Sequence, residues 1–110
     1  MIKQPLELFK SAEKTSSGQT AAIDVSGADQ LSVFLSVTAA SGTSPTLDVV
    51  IQDSPDGLLW YDKESFTQAT TTTSEAKRLT NFGKFVRVKY TIGGTTPAFT
   101  FEVKATGRNL

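Results

Sequence analysis

The chain has 110 residues, with eleven basic and eleven acidic side chains, and it contains neither cysteine nor histidine. This length predicts one domain over residues 1–110, and the balanced charge gives no net field to attract nucleic acid or an anionic membrane. The missing residue types exclude disulfides, imidazole catalysis and the usual zinc ligands. We therefore expect no cofactor, no metal and no nucleic-acid or membrane partner.

The amino-terminal segment is predicted to be extended. Leu6 and Leu8 alternate as in a strand, and the turn-forming TSSGQT that follows favours a strand over a helix. Residues 1–20 therefore allow an extended arm on the domain. Pro5 and nearby charges interrupt any signal-peptide pattern, and no apolar run approaches the ~20 residues that span a bilayer.

Two apolar patterns of period two follow this segment. Ala21, Ile23 and Val25 predict a short strand before the turn SGAD. The next run places Leu31, Val33, Leu35 and Val37 on one face. At SGTSP, residues 41–45, glycine gives the backbone freedom needed for a reversal, and proline marks a strand boundary because it cannot donate a ladder hydrogen bond. Leu47, Val49 and Ile51 then resume the alternation. The pattern predicts a hairpin.

The stretch QDSPDGLLWYD predicts a second type of turn. Asp56 and Gly57 form a strong hairpin signal, after which either Leu59 and Tyr61 or Leu58 and Trp60 should face inward. A calcium site at Asp53 and Asp56 is the less favoured alternative to turn formation and strand capping. The threonine-rich residues 67–77 predict either an edge strand or an exposed loop.

The reversal pattern then occurs again. Val86, Val88, Tyr90 and Ile92 share one face, GGTTP at 93–97 repeats the reversal, and Phe99, Phe101 and Val103 continue the alternation. Two similar hairpins predict an all-β antiparallel β-sandwich of about seven to eight strands, of jelly-roll or immunoglobulin-like size. A closed barrel would give the same pattern. Arg87 and Lys89 should form cross-strand ion pairs near Glu102 and Lys104.

No residue pattern predicts catalysis. The carboxylates are scattered without a paired arrangement, and the glycine-rich turns lack the lysine and helix start of a phosphate-binding loop. We therefore expect that the protein is not an enzyme and has no catalytic residues. In a carbohydrate-binding module, Trp60, Tyr61 and Arg87 would form the glycan contact, because an exposed ring beside a cation can stack on a sugar.

Three segments together carry a resemblance: VTAASGTSPTLDVVIQDSPDGLLWYD, then FTQATTT, then NFGKFVRVKYTIGGTTPAFTFEVKATGR. They resemble small β-sandwich proteins from the structural gene clusters of tailed bacteriophages and prophages. The shared features are the paired GT(S/T)P segments, the aspartate-glycine turn before a tryptophan, and the aromatic-glycine-x-aromatic-valine-arginine strand. The resemblance extends from Leu31 to Arg108.

The resemblance implies a virion structural protein, and first a capsid decoration (cement) protein that binds and stabilises the outer shell. It would be made in the host cytoplasm, would lie on the capsid surface, and would bind the major capsid protein and other copies of itself as a homo-oligomer. We expect the capsid contact at Leu6, Leu8 and Phe9 of the amino-terminal arm. A tail or head-tail connector component and a carbohydrate-binding module are the alternatives.

Overall fold

The computed structural model describes residues 6–108 and shows an all-β, antiparallel fold. The seven strands of these residues are β1 (Leu6–Lys14), β2 (Gly18–Gln19), β3 (Ile23–Asp24), β4 (Gln30–Ser54), β5 (Tyr61–Ser65), β6 (Thr73–Thr80) and β7 (Phe85–Arg108). The predicted antiparallel β-sandwich is thus confirmed. No helix long and apolar enough to cross a bilayer occurs between residues 6 and 108.

Strands β4 and β7 form the centre of the molecule. They have 25 and 24 residues and pair with each other from Gln30 opposite Arg108 to Ser54 opposite Phe85. A straight strand of that length would span about 80 Å, whereas the longest dimension of the fold is 43 Å. Both strands therefore bend, and the bend lies where their register shifts, between residues 37 and 46 of β4.

The bend divides the fold into two facing layers. The first has the order β6–β4–β7–β1 and uses residues 30–41 of β4 and 98–108 of β7. The second has the order β5–β4–β7, with the short β2 and β3 along the other side of β7. Tyr90 in the second layer contacts Phe101 in the first edge to face, with ring centroids 5.5 Å apart.

The two GT(S/T)P segments are not hairpins, and that detail of the prediction is wrong. A hairpin at 42–45 would pair residues 30–41 with 46–54, but each of these segments pairs with β7. The two copies instead form the bends of β4 and β7, where Thr43 pairs with Thr95. A glycine with positive φ and a proline outside the ladder suit both a hairpin and a bend. The sequence alone therefore does not distinguish them.

Most predicted core positions are confirmed in both layers, whereas Ile92, predicted on the same face as Tyr90, is half-buried. The buried apolar residues of the long strands are Leu31, Val33, Leu35, Val37, Leu47, Val49, Ile51, Val86, Val88, Tyr90, Phe99, Phe101, Val103 and Ala105. They alternate along each half-strand, so one face of each layer is apolar and packs against the other layer.

The amino-terminal segment is part of the sheet. Strand β1 pairs with β7 at one edge of the first layer, and residues 1–5 of the expected arm lie outside the described residues. Leu8 and Phe9 are 2% and 6% exposed, and Phe9 stacks on Phe101 with centroids 4.3 Å apart. A register shift beside Phe9 turns these two neighbouring side chains inward together. They can reach a capsid only if β1 leaves the sheet, and Leu6 is half-buried.

Candidate functional site: an apolar tip at one hairpin

The hairpin predicted at Asp56 and Gly57 is present. Strand β5 returns antiparallel to the end of β4, with Asp53 opposite Tyr61 and Gln52 opposite Asp62. Its loop is wider than a two-residue turn, because β4 ends at Ser54 and β5 begins at Tyr61.

The side chains after this turn do not face inward, so both predicted alternatives are wrong. Leu58, Leu59 and Tyr61 are 81%, 60% and 58% exposed, and Trp60 is half-buried. Residues 58–60 belong to the wide loop, so the alternation of a strand does not apply to them. We call Leu58, Leu59, Trp60 and Tyr61 the apolar tip.

A network of short hydrogen bonds fixes the backbone below the apolar tip. The buried Ser54 Oγ accepts the N–H of Gly57 at 2.8 Å. Asp56 Oδ1 accepts the N–H of Leu58 at 2.8 Å and that of Leu59 at 3.1 Å. These two bonds hold the pKa of Asp56 below the ordinary aspartate value of 3.8. The exposed leucines are thus presented on a defined turn.

The predicted strand-capping and turn roles of Asp53 and Asp56 agree with this geometry. Asp53 Oδ2 accepts the N–H of Gly83 at 2.8 Å, which links the end of β4 to the turn before β7. Both carboxylates are thus bonded to backbone N–H groups. Residues 6–108 contain no group of three or more acidic, histidine or cysteine side chains arranged to hold a metal.

The predicted glycan residues lie together beside the tip. The Arg87 guanidinium lies over the Trp60 ring at 4.3 Å, and Tyr61 is exposed next to it in the chain. Arg87 Nε donates to Gln52 Oε1 at 2.8 Å, and Gln52 Nε2 donates to Asp62 Oδ1 at 2.8 Å. One face of Trp60 is therefore covered by a cation that is itself held in place.

Gln52 and Asp62 were not among the sequence-predicted site residues. Gln52 lies on β4 between Asp62 of β5 and Arg87 of β7, and it is only 6% exposed. Three strands must be in register before these side chains meet. The sequence offered one signal for this cluster, because Gln52 is a polar residue directly after the core residue Ile51.

The predicted cross-strand ion pairs are not formed, because they depended on the hairpin at 93–97. Arg87 lies in the second layer, whereas Glu102 lies in the first. The carboxylate of Glu102 is instead 3.8 Å from Lys104 Nζ on the same strand.

The threonine-rich segment contains both predicted alternatives. Residues 67–72 form a loop that is exposed except at Ala69, which is 3% exposed and pairs with Leu47. Strand β6 begins at Thr73 on the edge of the first layer. Glu75 of β6 accepts the N–H of Thr67 at 2.7 Å and its hydroxyl at 3.0 Å. The loop is thereby fastened to the edge strand.

Comparison with known proteins gives a fold-level likeness. No protein-family model matches the chain, and no curated protein matches it. The chain is similar to a solved structure of the Clostridium thermocellum N-terminal endo-1,4-β-D-xylanase 10B, with CBM22-1 and GH10 modules, complexed with xylohexaose. The TM-score is 0.52 at 7% identity, over 94% of this chain and 25% of that one. The chain thus spans a quarter of that structure, and the likeness concerns the fold alone.

Proposed function

We propose that the protein is a non-catalytic virion structural protein, a capsid decoration protein that binds the outer shell through its apolar tip. The observation that carries this proposal is the exposure of Leu58, Leu59 and Tyr61 on a turn fixed by Asp56 and Ser54. Exposed apolar clusters on small proteins are typical of protein-protein contacts.

The rigid turn suits a contact that is repeated many times. A backbone already held by hydrogen bonds loses little conformational freedom when it docks. On a symmetric shell, many copies multiply a modest contact. The major capsid protein is named as the partner by the resemblance of residues 31–108 to phage structural proteins, and the same resemblance supports location on the virion.

The apolar tip replaces the contact first expected at Leu6, Leu8 and Phe9. Two of those side chains are in the core, whereas the tip is exposed without any change in the sheet. A tail or head-tail connector component would use the same kind of surface. Binding to isolated heads or to isolated tails therefore distinguishes the two assignments.

A carbohydrate-binding module is the second candidate, favoured by Trp60, Tyr61 and Arg87 lying together and by the fold likeness to a xylanase structure that contains a CBM22-1 module. Two features count against it. Arg87 covers one face of Trp60, and leucines provide no stacking surface for a sugar ring.

The test is cosedimentation of the purified protein with heads and with separated tails of the phage that encodes it. The double variant Leu58→Ser, Leu59→Ser should bind heads with an affinity at least about tenfold lower than the parent's, because central apolar anchors dominate such contacts. Phe34→Ser is the matched control, since Phe34 is also exposed, at 40%, but lies on the first layer; it should bind as the parent does.

Other results would redirect the assignment. Binding to tails alone would assign the protein to the tail. Failure to bind either particle, with quenching of Trp60 fluorescence by xylo-oligosaccharides, would support the carbohydrate-binding module. Unchanged head binding by the double variant would remove the tip from the contact.

A further inference from the structure

We propose that strand β6 pairs antiparallel with β6 of a second copy, which makes the protein a twofold dimer through the edge of its first layer. On its inner side β6 pairs with β4 through eight consecutive residue pairs, from Thr73 opposite Val37 to Thr80 opposite Gln30, with no register shift. Among the hydrogen bonds formed within residues 6–108, none joins the backbone of its outer edge to another segment.

The other edges of the described sheet carry features that discourage such pairing. Strand β1 has two register shifts. Strand β5 has five residues and one shift, and β2 and β3 have two residues each. Bulges and short length are common ways of blocking an edge. Strand β6 has neither feature and no proline, so its outer edge is the one most open to another strand.

The charges on β6 favour one register. Facing side chains in an antiparallel pair point to the same side of the sheet. The twofold axis must therefore pass midway between the two copies of one residue, which face each other. An axis at Glu75, Lys77 or Arg78 would place like charges directly opposite each other, which is destabilising. An axis at Ala76 places Glu75 of each copy opposite Lys77 of the other, and it keeps residues 73–79 of each β6 paired.

Opposite charges already lie side by side on this edge. Glu75 and Lys77 are half-buried on the core side of the edge, with Lys77 Nζ 3.9 Å from a Glu75 oxygen. Inward-facing charges usually protect an edge, but opposite charges two residues apart are self-complementary in an antiparallel pair. Ala76 is exposed and small, so the two backbones can approach at the axis. The dimer would join a four-stranded layer from each copy.

The absence of cysteine from the chain permits a direct test of the register. Facing Cα atoms in an antiparallel pair are about 4.5–5.5 Å apart, which is within disulfide range. Ala76→Cys should therefore form a disulfide-linked dimer rapidly when oxidised glutathione is added to a dilute solution.

Ser74→Cys and Arg78→Cys are the controls. Each alone should crosslink no faster than random collision allows, because its own counterpart lies four residues along the partner strand. A mixture of the two variants should crosslink rapidly, because residues 74 and 78 face each other. Equal rates for all single variants would overturn the proposed register.

Sedimentation velocity tests the dimer without a crosslink. At about 100 µM the parent should sediment as a dimer, and Lys77→Glu should weaken dimerisation by about tenfold or more, since glutamates then face each other at both pairs. The double variant E75K/K77E should restore most of the affinity because it exchanges the charges on each chain. Circular dichroism confirms that each variant is folded. A monomeric parent, or a dimer that Lys77→Glu leaves unaffected, would overturn the proposal.

This edge is separate from the apolar tip. Loss of dimerisation with intact head binding, or the reverse, distinguishes failure of this inference from failure of the proposed function.

Discussion

Two small polar residues determine where the apolar tip points. Ser54 is fully buried, and its hydroxyl accepts the N–H of Gly57. Asp56 accepts the N–H groups of Leu58 and Leu59. These bonds satisfy backbone groups that a strand would otherwise satisfy through its ladder, so the chain can leave the sheet for several residues. The leucines are exposed because the backbone is held, although their own hydropathy would favour burial.

Titration of Asp56 should loosen this turn at low pH. Because its pKa is lower in the folded chain than the ordinary value of 3.8, the stabilisation is complete above that value and is lost as pH falls through the lower, folded pKa. In NMR spectra from about pH 6 to about pH 2, the amide shifts of Leu58 and Leu59 should titrate with a midpoint below 3.8. Asp56→Asn should abolish that titration. A midpoint at or above the ordinary value would contradict the assigned bonds.

The sequence predicted the members of the polar cluster beside the tip only in part. An aromatic pair and a nearby cation, Trp60, Tyr61 and Arg87, could be proposed from residue type alone. Gln52 and Asp62 could not, because they join the cluster through pairing of β4 with β5 and β7. Exposure of the tip was also missed, since residue alternation does not indicate where a wide loop replaces a strand.

The sandwich depends on the paired bends of β4 and β7. Gly42 and Gly94 have nearly equal φ values of 112° and 111°. A Cβ at Gly42 would lie 2.7 Å from the Thr96 carbonyl oxygen, and one at Gly94 would lie 2.7 Å from that of Ser44. Each glycine therefore packs against the other copy of the repeat. The two copies of the motif thus form two similar bends that fit against each other.

Alanine at either glycine should destabilise the fold to a similar extent. Gly42→Ala and Gly94→Ala each combine a positive φ with a clash against backbone, so we expect a loss of about 1–3 kcal/mol in the free energy of unfolding for each. Gly27→Ala is the control, because a Cβ there meets no atom within 4 Å, and it should change stability by less than about 0.5 kcal/mol. Urea unfolding followed by Trp60 fluorescence measures all three. A neutral Gly42→Ala would show that the bend tolerates a side chain.

The two layers are built from the same two strands, so we expect the molecule to unfold as a single cooperative unit. Every core residue of β4 or β7 is connected through its own strand to the opposite layer, and pairs such as Gln30 with Arg108 join distant parts of the chain. The fold class and the inward faces followed from alternation, because burial selects one side of a strand in either layer. The continuation of β4 and β7 from one layer into the other could not be predicted from the alternation, because it depends on long-range strand pairing that local patterns do not contain.

A core cavity in one layer should therefore destabilise the other layer equally. Leu35 belongs to the first layer and is 2% exposed, and Leu35→Ala should reduce the free energy of unfolding by about 2–5 kcal/mol. Trp60 lies beside the second layer, yet its fluorescence transition in urea should shift as far as the far-ultraviolet circular dichroism transition. Ile51→Ala, in the second layer, is the matched variant and should also give coincident transitions. If Leu35→Ala shifted the dichroism but left the Trp60 midpoint unchanged, the layers would unfold separately, and the shared strands would not couple them.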